Sequence, residues 1–332
     1  MASPQQETLP LFGDQPRQPL LMLMDGHAMV HRSFRAISAQ RHLTVSATGE
    51  DVTGVYGFVN VFLRSLREWS PTHCAIAFDT RVPTFRHLRF EAYKAQRDPT
   101  PPELRHQFQR VKQLMEAFSV QVFEIDGFEA DDVIGTLADR AAAEGLEVAI
   151  VTGDKDFFQL VRDEVRVFNP REPGTWYDAE RVKEKFGVVP SQVVDVLALM
   201  GDAIDNVKGV PGIGEKGARA LLSDYGSLNR LLAQADTITV KRHRKALTEH
   251  VDDARQSQAL VRIRTDLAVP NDPTQFRYQG VDRERCFELF SRLGFKSLLQ
   301  EYAPTASSVT TDYHLIDTQN SRSRTSHLLF KL

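Results

Sequence analysis

Three apolar runs in the first half of the chain each lead into an acid: Leu20-Leu-Met-Leu-Met24 before Asp25, Cys74-Ala-Ile-Ala-Phe78 before Asp79, and Val148-Ala-Ile-Val151 shortly before Asp154. Short unbroken apolar runs predict strands buried on both faces, as in a parallel sheet. Between them, over residues 52–69 and 102–118, apolar positions recur with the helical period. This alternation predicts an α/β fold with a doubly wound, mostly parallel sheet. From residue 190 onward the pattern is helical, with helices expected over 191–200, 214–225, 227–233, 242–251 and 283–293. The expected organisation is a flexible leader at 1–19, an α/β core at 20–190, a helical subdomain at 191–302, and a tail at 303–332. That tail opens as a Ser/Thr-rich linker, after which Asp312 to Thr318 looks like the truncated start of another domain.

In a doubly wound sheet, ligands bind outside the carboxyl ends of the strands, which is where Asp25, Asp79, Asp154 and Asp156 are expected to collect. The segment Phe128-Glu129-Ala130-Asp131-Asp132-Val133 opens a further helix, with Val133, Ile134, Leu137, Ala138 and Ala141 on its apolar face. Acids suit the positive N-terminus of a helix, and that accounts for one or two of them. It leaves unexplained the strand-end acids and the pairs Asp154-Lys-Asp156 and Asp202-Ala-Ile-Asp205. These nine carboxylates in one cleft would repel one another by roughly several kcal/mol unless cations neutralised them. An oxygen-only donor set without His or Cys suits Mg²⁺ or Mn²⁺. Two such ions, about 4 Å apart, are the usual apparatus of phosphodiester hydrolysis.

Composition and charge refine this picture. Among 332 residues, 42% are hydrophobic and 26% charged, as in a globular protein, and the net charge is −3. The charge is segregated: residues 81–112 carry eight Lys/Arg against three Asp/Glu, whereas residues 122–164 carry three against twelve. Within the basic stretch, Arg81 to Pro101 is long for a plain connection. There Arg86, Arg89, Lys94 and Arg97 interleave with Phe85, Phe90 and Tyr93. Cations that hold a backbone beside aromatics that stack bases are the recipe for binding a single strand, so an arch is expected at about 81–101. Two cysteines are too few for a disulfide framework, and no early apolar run is long enough for a signal peptide or membrane span. A cytoplasmic protein, not attached to membranes, is expected.

Gly212-Ile-Gly214-Glu-Lys-Gly217 fits the dinucleotide-binding spelling Gly-x-Gly-x-x-Gly. That motif requires a preceding strand, and here the preceding segment has helical period. The alternative is a helix, a Gly/Pro turn and a second helix, whose exposed amides could hold a phosphate with help from Lys216 and Arg219. The run Lys241-Arg-His-Arg-Lys245 is either a second phosphate contact or a solvated basic face.

With these motifs in order, the chain resembles the 5′ nuclease (flap endonuclease) family, most closely its members at the N-terminus of bacterial DNA polymerases. The resemblance covers about residues 20–302. It is carried by Asp25-Gly-His, Phe78-Asp79 with Phe85-Arg86-His87, Tyr93-Lys94-Ala-x-Arg97 and Glu129-Ala-Asp-Asp132. It continues in Thr152-Gly-Asp-Lys-Asp156, Gly201-Asp-x-x-Asp-Asn206 and Gly209-Val-Pro-Gly-Ile-Gly-Glu-Lys216. The resemblance implies a 5′-3′ exonuclease or flap endonuclease, a hydrolase removing 5′ flaps and RNA primers in DNA replication and repair. It implies that Asp25, Asp79, Glu129 and Asp131 serve one metal, and Asp132, Asp154, Asp156, Asp202 and Asp205 a second. Lys94, Arg97 and Arg32 would act on the scissile phosphate. Arg86, Tyr93, Gly209, Val210, Gly212, Gly214, Lys216 and Arg219 would contact DNA, with a K⁺ ion at the helix-hairpin-helix. A sliding clamp is a candidate partner through residues 8–12, Leu-Pro-Leu-Phe being similar to clamp-binding peptides, and a monomer is expected.

His31 departs from the family, which usually carries Tyr beside the arginine at position 32. No polymerase activity is expected of the chain. Two other readings remain open at this point. One is a catalytically silent DNA-structure-binding fragment. The other is a haloacid-dehalogenase-like phosphatase built on Asp154 and Asp156, which would leave the remaining acids idle.

Overall fold

The computed structural model describes residues 19–170, 174–269 and 276–303. The expected leader, the clamp-like residues 8–12 and the expected strand at 312–318 lie outside the described residues. The elements of the first half are β1 (Leu20–Asp25), α1 (Gly26–Ser38), α2 (Thr53–Trp69), β2 (His73–Ala77), α3 (Phe85–Arg89), α4 (Pro102–Ala117), β3 (Gln121–Phe123), α5 (Ala130–Ala143) and β4 (Glu147–Val151). There follow β5 (Val165–Asn169), β6 (Thr175–Tyr177), α6 (Ala179–Phe186), α7 (Val193–Met200), α8 (Glu215–Tyr225), α9 (Leu228–Ala233), α10 (Lys241–Glu249), α11 (Val251–Val261), α12 (Arg283–Arg292) and α13 (Lys296–Tyr302).

The strands form one sheet of order β3-β2-β1-β4-β5-β6, parallel except for β6. Every residue of β1 is buried, as the unbroken apolar run requires. Its alternate side chains serve two cores. Leu21 and Leu23 pack with α5 and the helical subdomain, whereas Leu20, Met22 and Met24 pack with α1, α2, α4 and α12. The result is a doubly wound sheet covered on both faces. Strand order reverses between β1 and β4, so the switch-point crevice opens at their carboxyl ends. Asp25 closes β1, Asp79 follows β2 and Asp154 follows β4, so all three acids sit at the same edge.

Gly26 opens α1 against the Phe78 ring, where an added Cβ would lie 2.5 Å from ring carbon. Only a residue without a side chain lets Asp25 turn from strand into helix there. Among the described residues, no helix is long and apolar enough to cross a membrane.

The helical half holds two helices that the pattern does not predict, α11 and α13. The expected helix over 242–251 breaks at His250, and α11 follows at once, packing against α7. Its sequence Val-Asp-Asp-Ala-Arg-Gln-Ser-Gln-Ala-Leu-Val buries only four residues, Ala254, Ser257, Leu260 and Val261. The Gly-rich segment Gly209 to Gly214 does join two helices, α7 and α8, and no strand precedes it.

Candidate active site

Asp25 accepts from the Ala28 amide with one oxygen (3.0 Å) and from the Thr152 hydroxyl with the other (3.0 Å), which ties β1 to the end of β4. Asp79 accepts from the Ala130 amide (2.8 Å), so the end of β2 meets the first turn of α5. Its own amide donates to His27 Nδ1 (3.1 Å). Glu129 is the N-cap of α5, and Asp154 caps the 3-10 turn Lys155–Leu160 by accepting from the Asp156 amide at 2.9 Å. Asp202 caps its own loop, accepting from the Ile204 amide (2.8 Å).

The turn carrying Lys94 is laced to the loop carrying Asp205. The Lys94 amide donates to the Asp205 carbonyl (3.0 Å), and Asn206 Nδ2 donates to the Ala92 carbonyl (2.7 Å). Lys94 and Asn206 both hold positive φ, 56° and 55°. Backbone strain of this kind persists only where surrounding contacts enforce it. A small pocket between these segments is lined by Tyr93, Glu129, Asp131, Asp156, Asp202 and Asp205.

Burial and mutual repulsion dominate the electrostatics. Burial pushes Asp25 up to about 7, against the Ala28 hydrogen bond, and the charges of Asp79 and Asp154 add to the rise. Asp131 and Asp156 stand well above the usual carboxylate range, mainly by burial and then by neighbouring acids; Asp154 is raised by burial as well. Three internal cations offset part of this field. Lys94 Nζ meets Glu129 (2.8 Å) and lies 3.9 Å from Asp205. Arg97 binds Asp205, with Nε at 2.8 Å. Lys155 pairs with Asp202 (3.0 Å), and although burial pushes Asp202 up, this bond leaves it below the usual range. Burial also opposes the charge on Lys94, but Glu129, Asp131 and Asp205 outweigh it and raise its pKa.

Among the described residues, no three His, Cys, Asp or Glu side chains are gathered closely enough to hold a metal ion as they stand. Lys94 stands between Glu129 and Asp205, while Arg97 pairs with Asp205 and Lys155 with Asp202. One oxygen remains unserved: Asp156 Oδ1 is buried and has no hydrogen-bond partner. A buried carboxylate oxygen left this way is costly. Together with a donor set of hard oxygens, it fits a divalent cation.

Four expected site residues are placed differently. Asp132 is fully buried, with both oxygens engaged by Arg86 (2.6 and 2.8 Å), by the Glu129 amide (3.2 Å) and by the Arg264 amide (2.9 Å). Both of its oxygens are thus engaged beneath the site, away from the pocket. Arg86, expected to contact DNA, is 2% exposed and also donates to the Leu260 and Arg262 carbonyls. Tyr93, 4% exposed, directs its hydroxyl at Glu129 (3.3 Å) and Asp205 (3.4 Å), so its ring cannot serve as a stacking platform. Arg219 pairs with Glu215 and lies on the Phe186 ring, in the space a side chain at Gly187 would need. Within the expected arch, α3 and the turns after it carry Arg86 and Tyr93 into the core, whereas Arg81, Arg89 and Arg97 stay exposed.

Arg32 lies over the backbone of Gly153 and donates to Asn169 (3.1 Å), at the edge of the acid cluster. His31 packs against Phe108, and burial first, then His27 and Arg35, hold its pKa down at about 4. Gly209, Val210, Gly212 and Gly214 lie on the α7–α8 turn and Lys216 in the first turn of α8, with Gly209 and Val210 buried and Gly212, Gly214 and Lys216 exposed. Sequence reasoning assigned no role to Thr152, Lys155 or His27, although all three fall inside quoted motifs. On the other side of Asp79 opens a cleft of ≈ 930 Å³ lined by His27, Arg81, Arg105, Phe108 and Lys112 together with Glu124, which pairs with Lys112, and Asp126. Its cations fall within the basic stretch that the charge pattern singled out.

An acid cluster at the switch point of a doubly wound sheet, followed by a helix–glycine turn–helix, defines a class that comparison identifies. Residues 20–187 match the 5′-3′ exonuclease N-terminal resolvase-like domain, and residues 188–284 match the 5′-3′ exonuclease C-terminal SAM fold. The chain belongs to the 5′-3′ exonuclease family. It is 38% identical over 300 residues to DNA polymerase I of Bacillus subtilis (strain 168), covering 90% of this chain and 34% of that protein. It is 42% identical over 294 residues to the thermostable DNA polymerase I of Thermus thermophilus, covering 89% and 34%. The chain thus spans about a third of the length of these relatives. Among solved structures, T5 5′-exonuclease with divalent metal ions (zinc) bound shares the fold at a TM-score of 0.61 and 21% identity, covering 85% of this chain and 96% of that one. The catalytic core of Rad2 in complex with DNA substrate gives 0.56 and 16%, covering 86% and 93%.

Proposed function

We propose that this chain is a structure-specific 5′ nuclease that hydrolyses DNA phosphodiesters at 5′ flaps and primer ends. The observation that carries the reading is the set of acids with raised pKa, the buried Asp25 and the half-buried Asp131, Asp154 and Asp156, in which the orphaned Asp156 Oδ1 fits a cation. Asp25, Asp79, Glu129 and Asp131 would hold one Mg²⁺ or Mn²⁺, and Asp154, Asp156, Asp202 and Asp205 a second. Such a pair of ions, when bound, polarises the phosphodiester and stabilises charge on its attacking and leaving oxygens.

The chain's own groups then do the positioning. Lys94 and Arg97, released from Glu129 and Asp205, turn to the nonbridging phosphate oxygens, and Arg32 approaches from the Gly153 side. Thr152 and the Ala28 amide fix the orientation of Asp25. The cleft beside Asp79 offers Arg81 and Arg105 to the displaced 5′ strand, while its Lys112 is paired with Glu124. The exposed glycine turn before α8 holds the duplex by its backbone amides. DNA in the cytoplasm would be the substrate.

The test is cleavage of a 5′-flap duplex labelled at either end, with Mg²⁺ or EDTA, by the unmutated chain and by Asp156→Asn. Metal-dependent cuts near the flap junction are expected from the unmutated chain. Asp156→Asn is expected to lose cleavage by on the order of a thousandfold, the worth of several kcal/mol of transition-state stabilisation, while retaining DNA binding. Full activity in the variant, or binding without cuts by the unmutated chain in both Mg²⁺ and Mn²⁺, would overturn the assignment.

A further inference from the structure

The glycine turn needs positive charge to hold a backbone, and Arg219, which the sequence offered for this, pairs with Glu215 and lies on the Phe186 ring. Lys216 remains exposed on α8. The rest of the charge comes from another helix. The Arg242 guanidinium donates to the Gly212 carbonyl, in the turn itself. The His243 ring stands 3.3 Å from where a Cβ on Gly217 would lie, so the absence of a side chain at Gly217 lets α10 close against the start of α8. The first turn of α10 is therefore a wall of the glycine turn.

That wall is charged in a way that opposes its own helix. Lys241, Arg242, His243, Arg244 and Lys245 run consecutively at the N-terminal end of α10, where the helix dipole disfavours cations. The helix has no acid in its first turn and no side-chain cap. A solvated basic face is normally interleaved with acids at the i+4 spacing. Here the one carboxylate within reach among the described residues is Glu249, 3.8 Å from Lys245. By contrast Lys208, also in the turn region, is fully paired with Asp253. Lys241, Arg242 and Lys245 are exposed, and Val240 beside them is 51% exposed. Local preference is overridden by a cluster whose charges are uncompensated, and such conflicts mark sites built for an external partner.

We propose that Lys241, Arg242 and Lys245 of α10 form a second phosphate-contacting wall of the glycine turn, extending the grip on duplex DNA from α8 onto α10. Arg242 doubles as the strut that fixes the wall to the turn through Gly212. The proposal rests on the nuclease reading for its ligand. It requires phosphate contacts only, so the contribution is independent of sequence and shows in salt dependence.

The experiment measures binding of a fluorescent duplex across a salt series, by anisotropy, with Asp156→Asn as the parent so that no cleavage intrudes. Adding Lys241→Gln, Arg242→Gln and Lys245→Gln is expected to reduce the slope of log K against log salt by about 2 to 3 and to weaken binding at least about tenfold. Two unrelated duplex sequences should lose equally. Arg292→Gln with Lys296→Gln, on the far helices α12 and α13, removes the same number of charges as Lys241→Gln with Lys245→Gln; the α10 pair should lower the slope and the control pair should leave it unchanged. If the triple variant fails to fold by circular dichroism, the single Lys241→Gln and Lys245→Gln variants replace it, each expected to lose about one unit of slope. A slope equal to the parent's in the folded variants, or an equal loss in the α12–α13 control, overturns the proposal. A parent that binds no duplex at all would instead sink the nuclease reading itself.

Discussion

The acidic cleft and the glycine turn are both charged clusters at the ends of helices, but they differ in how the protein compensates them. In the cleft, Lys94, Arg97 and Lys155 reach three of the acids, and Arg86 lies beneath a fourth. At the turn, the cations of α10 face outward with almost no acid to meet them. Buried charges must be answered within the fold because the solvent cannot screen them. Exposed ones can wait for a ligand. An internally answered cluster therefore reports on organisation and substrate exchange, whereas an unanswered exposed one reports on a binding surface.

The largest effect separating the two regions is expected at Arg86. Arg86→Met would leave Asp132 buried with an uncompensated charge and should cost about 3 to 5 kcal/mol of stability in denaturant unfolding. Arg86→Met with Asp132→Leu should recover much of that loss, since an apolar pair removes the orphaned charge. The single variants in α10 lie in solvent and should each move stability by less than about 0.5 kcal/mol. A mild Arg86→Met would mean that the cleft's compensation is as dispensable as the turn's, and the contrast would fail.

The same contrast explains what could be read from the chain in advance. The strand runs ending in Asp25, Asp79 and before Asp154 were legible because burial on both faces leaves an unbroken apolar signature. Strand β6 is three half-buried residues and α11 is half polar, so neither leaves a pattern to read. Asp131 and Asp132 are indistinguishable as letters. Adjacent residues on a helix diverge by about 100°, which turns Asp131 towards the pocket and Asp132 down onto Arg86. Arg86 and Tyr93 misled for a related reason. Cations interleaved with aromatics describe a single-strand groove and a buried ion-pair cluster equally well, and only burial decides between them.

A smaller effect tests the direction of exchange in the cleft. Lys94→Ala should slow single-turnover flap cleavage by on the order of ten- to a hundredfold, because it removes a cation aimed at developing phosphate charge. Duplex affinity should change by less than about threefold, since one phosphate contact of several is lost. The α10 variants should do the reverse, weakening affinity first. If Lys94→Ala proved a pure affinity variant, its pairing with Glu129 would be a structural bond and not a reserve released to substrate.

The smallest effect is in pH and separates the cleft's residual repulsion from the compensation already present. Asp25 titrates at about 7 in the fold against 3.8 as a free side chain. Between those values the folded chain holds a proton that the unfolded chain has released, so this group's contribution to stability declines as pH rises through that window. In EDTA, the melting temperature of the unmutated chain should therefore fall from about pH 5.5 to about pH 8. Asp25→Asn removes the titrating group and should flatten that fall. Added Mg²⁺ should also flatten it, because neutralised carboxylates no longer favour the bound proton. Lys241 lies exposed on α10, outside the cleft, so Lys241→Gln should leave the slope as it was. An equal flattening by Lys241→Gln would show that the pH response comes from global charge and not from the cleft. A melting temperature that rises with pH in EDTA would show that other titrating groups outweigh these buried acids.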